Sequence, residues 1–421
     1  MLRRVQEIGF HRAKLAAAAR WLGLAAAALV PFVPLISVAE LPADPTGVSE
    51  TVGEPGPHWT YYLDFQLSDF YGRFVLINGD DAEFKAHVSA GQMPTLAIAP
   101  NGREIYVAET TYAYGSRGTR HDLVTVYDTT HYAAQAHIAL PTGKRALMSA
   151  LSRMTLLEDP RFLAIYNYTP AASLSLVDLE ERRHIAETPS PGCHQTYPTG
   201  ARGVSMLCGD GTMATLVFDE RGNWLRTHRS ERFFDPDDDP IKTNSARVGS
   251  TEYFVSYSGN VHPVDLSGER PVFEEAWPLV DHSVKPAGLF RALLTMGKAG
   301  PWKPGGMQLA AGHAGRGELY VVMHPILWSQ GKGDHDFPGP EIWVYEIAKR
   351  ERVRRVKVRG VAVSVDVTPD AEPLLFVTGA DIKTEELHLE IYDAVSGKFL
   401  REMHEFGDTV FSFAPTLGGT R

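Results

Sequence analysis

Short runs of alternating apolar residues recur along the chain, and each run ends on an acidic residue followed by a turn. Period-two alternation of Val, Ile, Leu, Tyr and Phe is typical of half-buried β-strands. The seven acidic endings are Asp80, Asp128, Asp178, Asp219, Asp265, Glu346 and Asp393. Successive endings are 48, 50, 41, 46, 81 and 47 residues apart. Five of these six intervals match a four-stranded propeller blade, so the pattern predicts an all-β, seven-bladed β-propeller.

The interval between Asp265 and Glu346 is too long for one blade. We interpret its excess as insertions at residues 270–312 and 324–339. A strand within residues 405–419 is predicted to pair with a strand within residues 58–80, which would close the ring with strands from both chain ends. A two-sheet sandwich is the competing architecture, but it would not require a period near 47 residues.

The N-terminal region has the pattern of a secretory signal peptide. Basic residues precede the apolar run WLGLAAAALVPFVPLISVA, which ends in small residues. We therefore predict a signal peptide at residues 1–39, cleaved near Ala39, and export to an oxidising compartment. A retained membrane anchor is the alternative, which Pro31 and Pro34 disfavour. The mature chain then comprises an extended N-terminal arm at residues 40–58 and the propeller at residues 59–421.

The chain contains two cysteines, Cys193 and Cys208. In an oxidising compartment, two cysteines at loop-closing separation favour a disulfide. In the chain-entropy model such a bond stabilises the fold by roughly 3 kcal/mol, as a staple on one hairpin. Two buried free thiols are the alternative. A structural zinc site is poorly supported, because it would need a second pair of ligands.

Composition and charge exclude several classes of partner. The formal net charge of -10 argues against binding to nucleic acid. No second apolar stretch approaches about 20 residues, so no membrane association is expected after removal of the signal peptide. With 44% hydrophobic and 22% charged residues, the chain can bury a large core.

Local motifs of catalysis or metal binding are missing from the sequence. It has no phosphate-binding loop, nucleophile elbow, zincin helix or CxxCH haem site. A polar cluster comprises His324, Asp334, His335 and Asp336, and we interpret it as a hydrated loop rather than a metal site. The acidic run at residues 235–239 lacks the spaced glycine and distal glutamate of a calcium loop, so a solvated turn is expected.

Several stretches resemble one known family along nearly the whole mature chain. They include GCHQTYPTGARGVSMLCGDGTMATLVF, WKPGGMQLAAGH, LPADPTG and AGQMPTLAIAPNGREIYVAETTYAYGSRGTRHDLVTVYD. These stretches resemble the heavy chain of the quinoprotein amine dehydrogenases, which act on methylamine or aromatic amines. The resemblance implies a seven-bladed propeller, exported to the periplasm, that carries no cofactor of its own.

The resemblance also implies a partner and an activity. The expected partner is a small, cysteine-rich light chain that holds tryptophan tryptophylquinone, in an assembly of two heavy and two light chains. That assembly would oxidise a primary amine to an aldehyde and ammonia and pass electrons to a cupredoxin or c-type cytochrome. This chain alone would be inactive and would contribute no catalytic residue and no metal.

At the residue level, the resemblance assigns residues 91–94 (Gly-Gln-Met-Pro) to a loop that reaches the substrate channel. Gln92, followed by Met93, stands where the family usually has an aromatic residue. Met307 stands where the family commonly has Trp. Cys193 and Cys208 match the family positions that form a disulfide.

Two other functions compete with the heavy-subunit interpretation. The chain could be a secreted binding module that kept the scaffold without a quinone partner. It could also be an autonomous propeller enzyme, such as a lactonase, which would need carboxylates and histidines around a central metal ion.

Overall fold

The alternating runs form β-strands in a computed structural model. The structure describes residues 51–65, 71–141, 143, 153–281, 301–326, 336–381, 384, 386–404 and 411–415. The predicted signal peptide and most of the predicted arm therefore lie outside the described residues. Within the described part, no helix is long and apolar enough to cross a membrane. The fold is all-β, as predicted, and the described residues include one short 3-10 helix, η1, at Ala314–Arg316.

The first sheet joins the two ends of the chain. Its strands are β1 (Trp59–Phe65), β2 (Tyr71–Asn78), β3 (Glu83–Ile98), β4 (Glu104–Tyr114), β5 (Arg117–Asp128), β6 (Ala134–Leu140) and β28 (Phe411–Pro415). They are hydrogen-bonded in the order β28-β1-β2-β3-β4-β5-β6. Thr60 lies opposite Pro415, and Leu63 lies opposite Phe411. The predicted pairing between N-terminal and C-terminal strands is confirmed.

Three smaller antiparallel sheets follow along the chain. Their strands are β7 (Met154–Leu156), β8 (Phe162–Asn167), β9 (Ser173–Asp178), β10 (Arg183–Pro189), β11 (Cys193–Thr199), β12 (Gly203–Cys208), β13 (Met213–Phe218), β14 (Trp224–Arg229), β15 (Ala246–Val248), β16 (Thr251–Val255), β17 (Asn260–Asp265), β18 (Val272–Phe273) and β19 (Trp277–Pro278). The sheets comprise β7 to β10, β11 to β14 and β15 to β18, and β19 also pairs with β17.

The last sheet has eight strands. They are β20 (Trp302–Pro304), β21 (Ala310–His313), β22 (Glu318–Pro325), β23 (Gly339–Glu346), β24 (Glu351–Val367), β25 (Leu374–Ala380), β26 (Leu387–Asp393) and β27 (Phe399–His404). The interpretation of residues 270–312 as an insertion needs correction, because β20 and β21 both pair with β22. Gly305 and Gly306 lie between these two strands, and Gly306 has a φ of 109°, which favours glycine. The strands are only three and four residues long, so the sequence shows no alternation there.

The acidic strand endings have a structural role that explains their recurrence. All seven lie within two residues of a strand end. Asp128, Asp219 and Asp393 accept hydrogen bonds from backbone N–H groups two to five residues downstream, which caps the following turn. Hydrogen bonds from the side chain and backbone of Asn223 hold the pKa of Asp219 below its ordinary value.

The core lies between neighbouring sheets, where their apolar faces stack. Seven clusters of buried residues occur in the described part of the chain. One of them joins the first sheet to the last, since Tyr62 and Ile77 pack with Phe376 and Ile391. The order of packed sheets therefore returns to its starting point, so the two ends of the chain support each other.

Candidate functional site

The two cysteines form a disulfide between adjacent strands. Cys193 in β11 lies directly opposite Cys208 in β12, and their sulfur atoms are bonded. Both residues are buried, at 3% and 1% exposure, in a cluster that also holds Met206 and Phe218. The pair is sealed in the core, so it supports the hairpin and offers no accessible reactive thiol.

Residues 91–94, which we call the crossing segment, lie in the middle of the 16-residue strand β3. The first half of β3 pairs with β2 and the second half with β4. Gln92 is the pivot, because it lies opposite Tyr71 on β2 and Thr110 on β4. The segment is therefore part of a continuous strand rather than a free loop.

The backbone of the crossing segment is bulged on both sides. Ala90 and Gln92 face consecutive residues of β2, so Gly91 is the extra residue there. Towards β4 the register shifts again between Gln92 and Thr95, and Met93 adopts a φ of 51°. Bulges re-aim side chains away from regular alternation, and the side chains of Gln92 and Met93 are both half-buried.

Close backbone approach explains the glycine of the crossing segment. A Cβ atom added at Gly91 would lie 2.4 Å from the carbonyl oxygen of Thr110 and 2.9 Å from the Cγ2 atom of Thr111. On the other side of β3, Pro94 occupies the space beside Gly72, where an added Cβ would lie 2.9 Å from its Cγ. The path of the segment is thus fixed by tight packing on both neighbours.

Two buried carboxylates lie on β4 and β5, the next two strands of the sheet after the crossing segment. Glu109 is 4% exposed and accepts hydrogen bonds from the backbone N–H of Gly91 and the hydroxyl of Thr125. Asp122 is 2% exposed; the hydroxyl of Thr110 donates to it at 2.6 Å, and Arg120 forms an ion pair with it at 3.0 Å. Each carboxylate is compensated by hydrogen bonds, as burial of a charge requires.

The backbone of Met307 forms hydrogen bonds with two other parts of the chain. Its N–H donates to the carbonyl of Val363 at 2.8 Å, and its carbonyl accepts from the side chain of Asn244 at 2.8 Å. The side chain is half-buried. Met307 therefore lies at a junction between the loop before β15 and strand β24.

The predicted polar cluster is not assembled into a site among the described residues. His324 is buried, and its Nδ1 lies 3.0 Å from the carbonyl oxygen of Pro325. Asp336 forms an ion pair with Lys242, whereas residues 334 and 335 lie outside the described residues. In the part of the chain that the structure describes, no group of three or more His, Cys, Asp or Glu side chains could hold a metal ion.

The acidic run at residues 235–239 forms a hydrogen-bonded turn. Asp235 accepts from the backbone N–H groups of residues 237 and 238. Asp239 accepts from the Ser256 hydroxyl, the Ser258 N–H and the Asn260 amide at 2.7–3.0 Å. Asp239 thus connects the turn to the end of the β16–β17 hairpin. The carboxylate oxygens of Asp235 and Asp239 accept hydrogen bonds from protein groups, as expected for a turn rather than a calcium loop.

Comparison with known proteins identifies the family. The family model for the methylamine dehydrogenase heavy chain matches residues 61–414. The chain belongs to the methylamine dehydrogenase heavy-chain family. The heavy chain of Methylophilus methylotrophus is 27% identical over 350 residues, covering 82% of this chain and 80% of that protein. The heavy chain of Paracoccus versutus is 26% identical over 334 residues, covering 79% and 73%.

Solved structures share the fold of this chain at low sequence identity. Dihydro-heme d1 dehydrogenase NirN has a TM-score of 0.51 at 14% identity, covering 89% of this chain and 68% of its own. A protein from Lactobacillus plantarum has a TM-score of 0.53 at 10% identity, covering 84% and 98%. Likeness at this level concerns the fold alone.

Sequence reasoning missed Glu109 and Asp122. Each interrupts a strand pattern, in YVAETTY and RHDLVTVYD, where a charge conflicts with the apolar neighbours. That conflict is a usable signal, because a charge within a core strand needs partners. One partner of Glu109, the N–H of Gly91, comes from a register shift in β3 that alternation does not encode.

Proposed function

We propose that this chain is the non-catalytic heavy subunit of a periplasmic, tryptophan tryptophylquinone-dependent amine dehydrogenase. The complete enzyme oxidises a primary amine to an aldehyde and ammonia and passes electrons to a cupredoxin or c-type cytochrome. The match of the heavy-chain family model over residues 61–414 is the observation that carries this proposal. Heavy-chain relatives of similar length support it.

We infer a propeller of seven blades. The long strands β3 and β24 each change partner along their length. Dividing the first and last sheets at these strands leaves seven groups of at least four strands in the described part of the chain. Seven apolar clusters, one between each pair of neighbouring groups, support the same number.

The partner in this proposal is a small, cysteine-rich light chain that carries the quinone, in an assembly of two heavy and two light chains. The heavy chain holds no cofactor. Its work is to cover the quinone, exclude water and shape the path of the amine, which a rigid stack of sheets can do. The disulfide between Cys193 and Cys208 suits export to the periplasm, after cleavage of residues 1–39 near Ala39.

The crossing segment is our candidate for the heavy-chain contribution to substrate access. Gln92 and Met93 are half-buried at the pivot of β3, where their side chains depart from regular alternation. A glutamine at this place offers hydrogen bonds, whereas a phenylalanine side chain would offer only apolar contact. We therefore expect an amine preference different from that of relatives with an aromatic residue there.

Affinity purification from the native periplasm tests the assignment. A tag is placed at the C-terminus of the chain, and cells are grown with and without a primary amine. The proposal predicts that a small chain co-purifies and shows the absorbance of a quinone that an amine bleaches. Recovery of this chain without such a partner, under both growth conditions, would contradict the proposal and favour a binding module.

A further inference from the structure

The bulge in β3 creates a need for a hydrogen-bond acceptor outside the sheet ladder. Gly91 is the extra residue of that bulge, so it has no opposing residue on β2. Buried backbone N–H groups require hydrogen-bond acceptors, and β2 places no residue opposite Gly91 that could provide one. The N–H of Gly91 instead donates to the Glu109 carboxylate, which reaches it from β4.

Glu109 is held in place from its other side. Its second oxygen accepts the hydroxyl of Thr125 on β5, and Thr125 Oγ1 lies 3.2 Å from Nδ1 of His137 on β6. The chain of contacts therefore runs from the crossing segment through β4 and β5 to β6. Because Thr125 fixes the Glu109 carboxylate, that carboxylate can hold the bulge at Gly91 in a single conformation.

The second long strand uses a comparable device. Glu390 on β26 is fully buried and accepts from the backbone N–H groups of Arg359 and Gly360 on β24, at 3.1 and 3.2 Å. Gly360 lies close to the pairing change of β24, because Val361 is the first residue paired with β25. Glu390 thus provides a matched control, since it supports the other crossing strand.

We propose that Glu109 is a positioning residue that anchors the crossing segment and thereby sets access of the amine to the quinone of the partner. This inference rests on the proposed function and adds to it a residue that contacts neither substrate nor cofactor. Glu109 acts through Gly91, and Gly91 directs the two residues that follow it, Gln92 and Met93.

Hydrogen exchange on the isolated heavy chain tests the anchoring. Glu109→Ala removes the acceptor, so a peptide covering residues 88–96 should exchange about tenfold faster. Glu109→Gln should restore slow exchange, because its carbonyl can accept from Gly91 while its amide donates to Thr125. Glu390→Ala should accelerate exchange around Gly360 and leave residues 88–96 unchanged. Equal exchange in Glu109→Ala and wild-type chains would overturn the proposal.

Steady-state kinetics of the assembled enzyme tests the access role. Glu109→Ala should raise KM for the amine about tenfold while kcat changes less than about twofold. Glu109→Gln should return KM to the wild-type value, and Glu390→Ala should leave KM unchanged. An unchanged KM in Glu109→Ala, in an enzyme that is otherwise active, would overturn the access role.

Failure of the proposed function would be visible separately. A wild-type assembly that oxidises no amine would overturn the heavy-subunit function and the access role together. The exchange measurement would still decide whether Glu109 anchors residues 91–94, because it requires neither the partner nor activity.

Discussion

Removing the disulfide tests how much one cross-link within a hairpin contributes to the free energy of unfolding of a large β-fold. Cys193 and Cys208 are 15 residues apart, and closing a loop of this length removes chain entropy worth about 3 kcal/mol from the unfolded state. Unfolding entropy of about 2.1 cal/mol/K per residue, over roughly 360 residues, gives about 0.75 kcal/mol/K. Reduction should therefore lower Tm by about 4 °C.

Two perturbations separate the cross-link from packing. Reduction of the wild-type chain keeps both sulfur atoms in the core, whereas a Cys193→Ala and Cys208→Ala double variant also removes their contacts. Urea unfolding should give a loss of about 3 kcal/mol on reduction and a somewhat larger loss in the double variant. The slope m should increase slightly without the bond, because the unfolded chain becomes less compact.

A small effect would refute this reasoning. If reduction cost less than about 1 kcal/mol, the β11–β12 hairpin would be closed in the unfolded ensemble without its bond. The disulfide would then be dispensable for the fold, and the loop-entropy estimate would not apply to it.

Two further predictions concern pH. Burial lowers the pKa of His58, but hydrogen bonds and charges of Asp80 and Asp370 outweigh burial and raise the pKa above 6.5. His58→Gln should therefore cost stability below about pH 6.5, with the loss fading as pH rises through the raised pKa, in urea midpoints across a pH series. Burial raises the pKa of Asp178, but Arg161 and backbone N–H groups outweigh it and lower the pKa. Asp178→Asn should cost about 2 kcal/mol at neutral pH and progressively less as pH falls below about 4; a pH-independent loss would contradict the ion pair.

The repeating part of the fold could be predicted from the sequence because its chemistry is local. Asp219 and Asp393 end strands and cap the next turn within a few residues, so their spacing reports the period of the sheets. The disulfide between Cys193 and Cys208 could be predicted from their separation and from the predicted export, and the structure places the two residues directly opposite each other on a hairpin.

The parts that could not be predicted depend on long-range register. The family resemblance places Gln92 in a loop, and the flanking Gly91 and Pro94 are residues typical of turns, whereas Gln92 lies where β3 changes its pairing partner. Gly305 and Gly306 divide a strand into pieces of three and four residues, too short for alternation to detect. Glu109 is intelligible only once Gly91 is known to be bulged towards it.

Amine-dependent reduction of an artificial dye is the most direct measurement of the central claim that chemistry resides in the partner chain. The purified heavy chain and the assembled complex are compared at equal concentration with the same amine. The account predicts turnover in the complex and none in the heavy chain alone. Turnover by the isolated heavy chain, free of any second polypeptide, would contradict it.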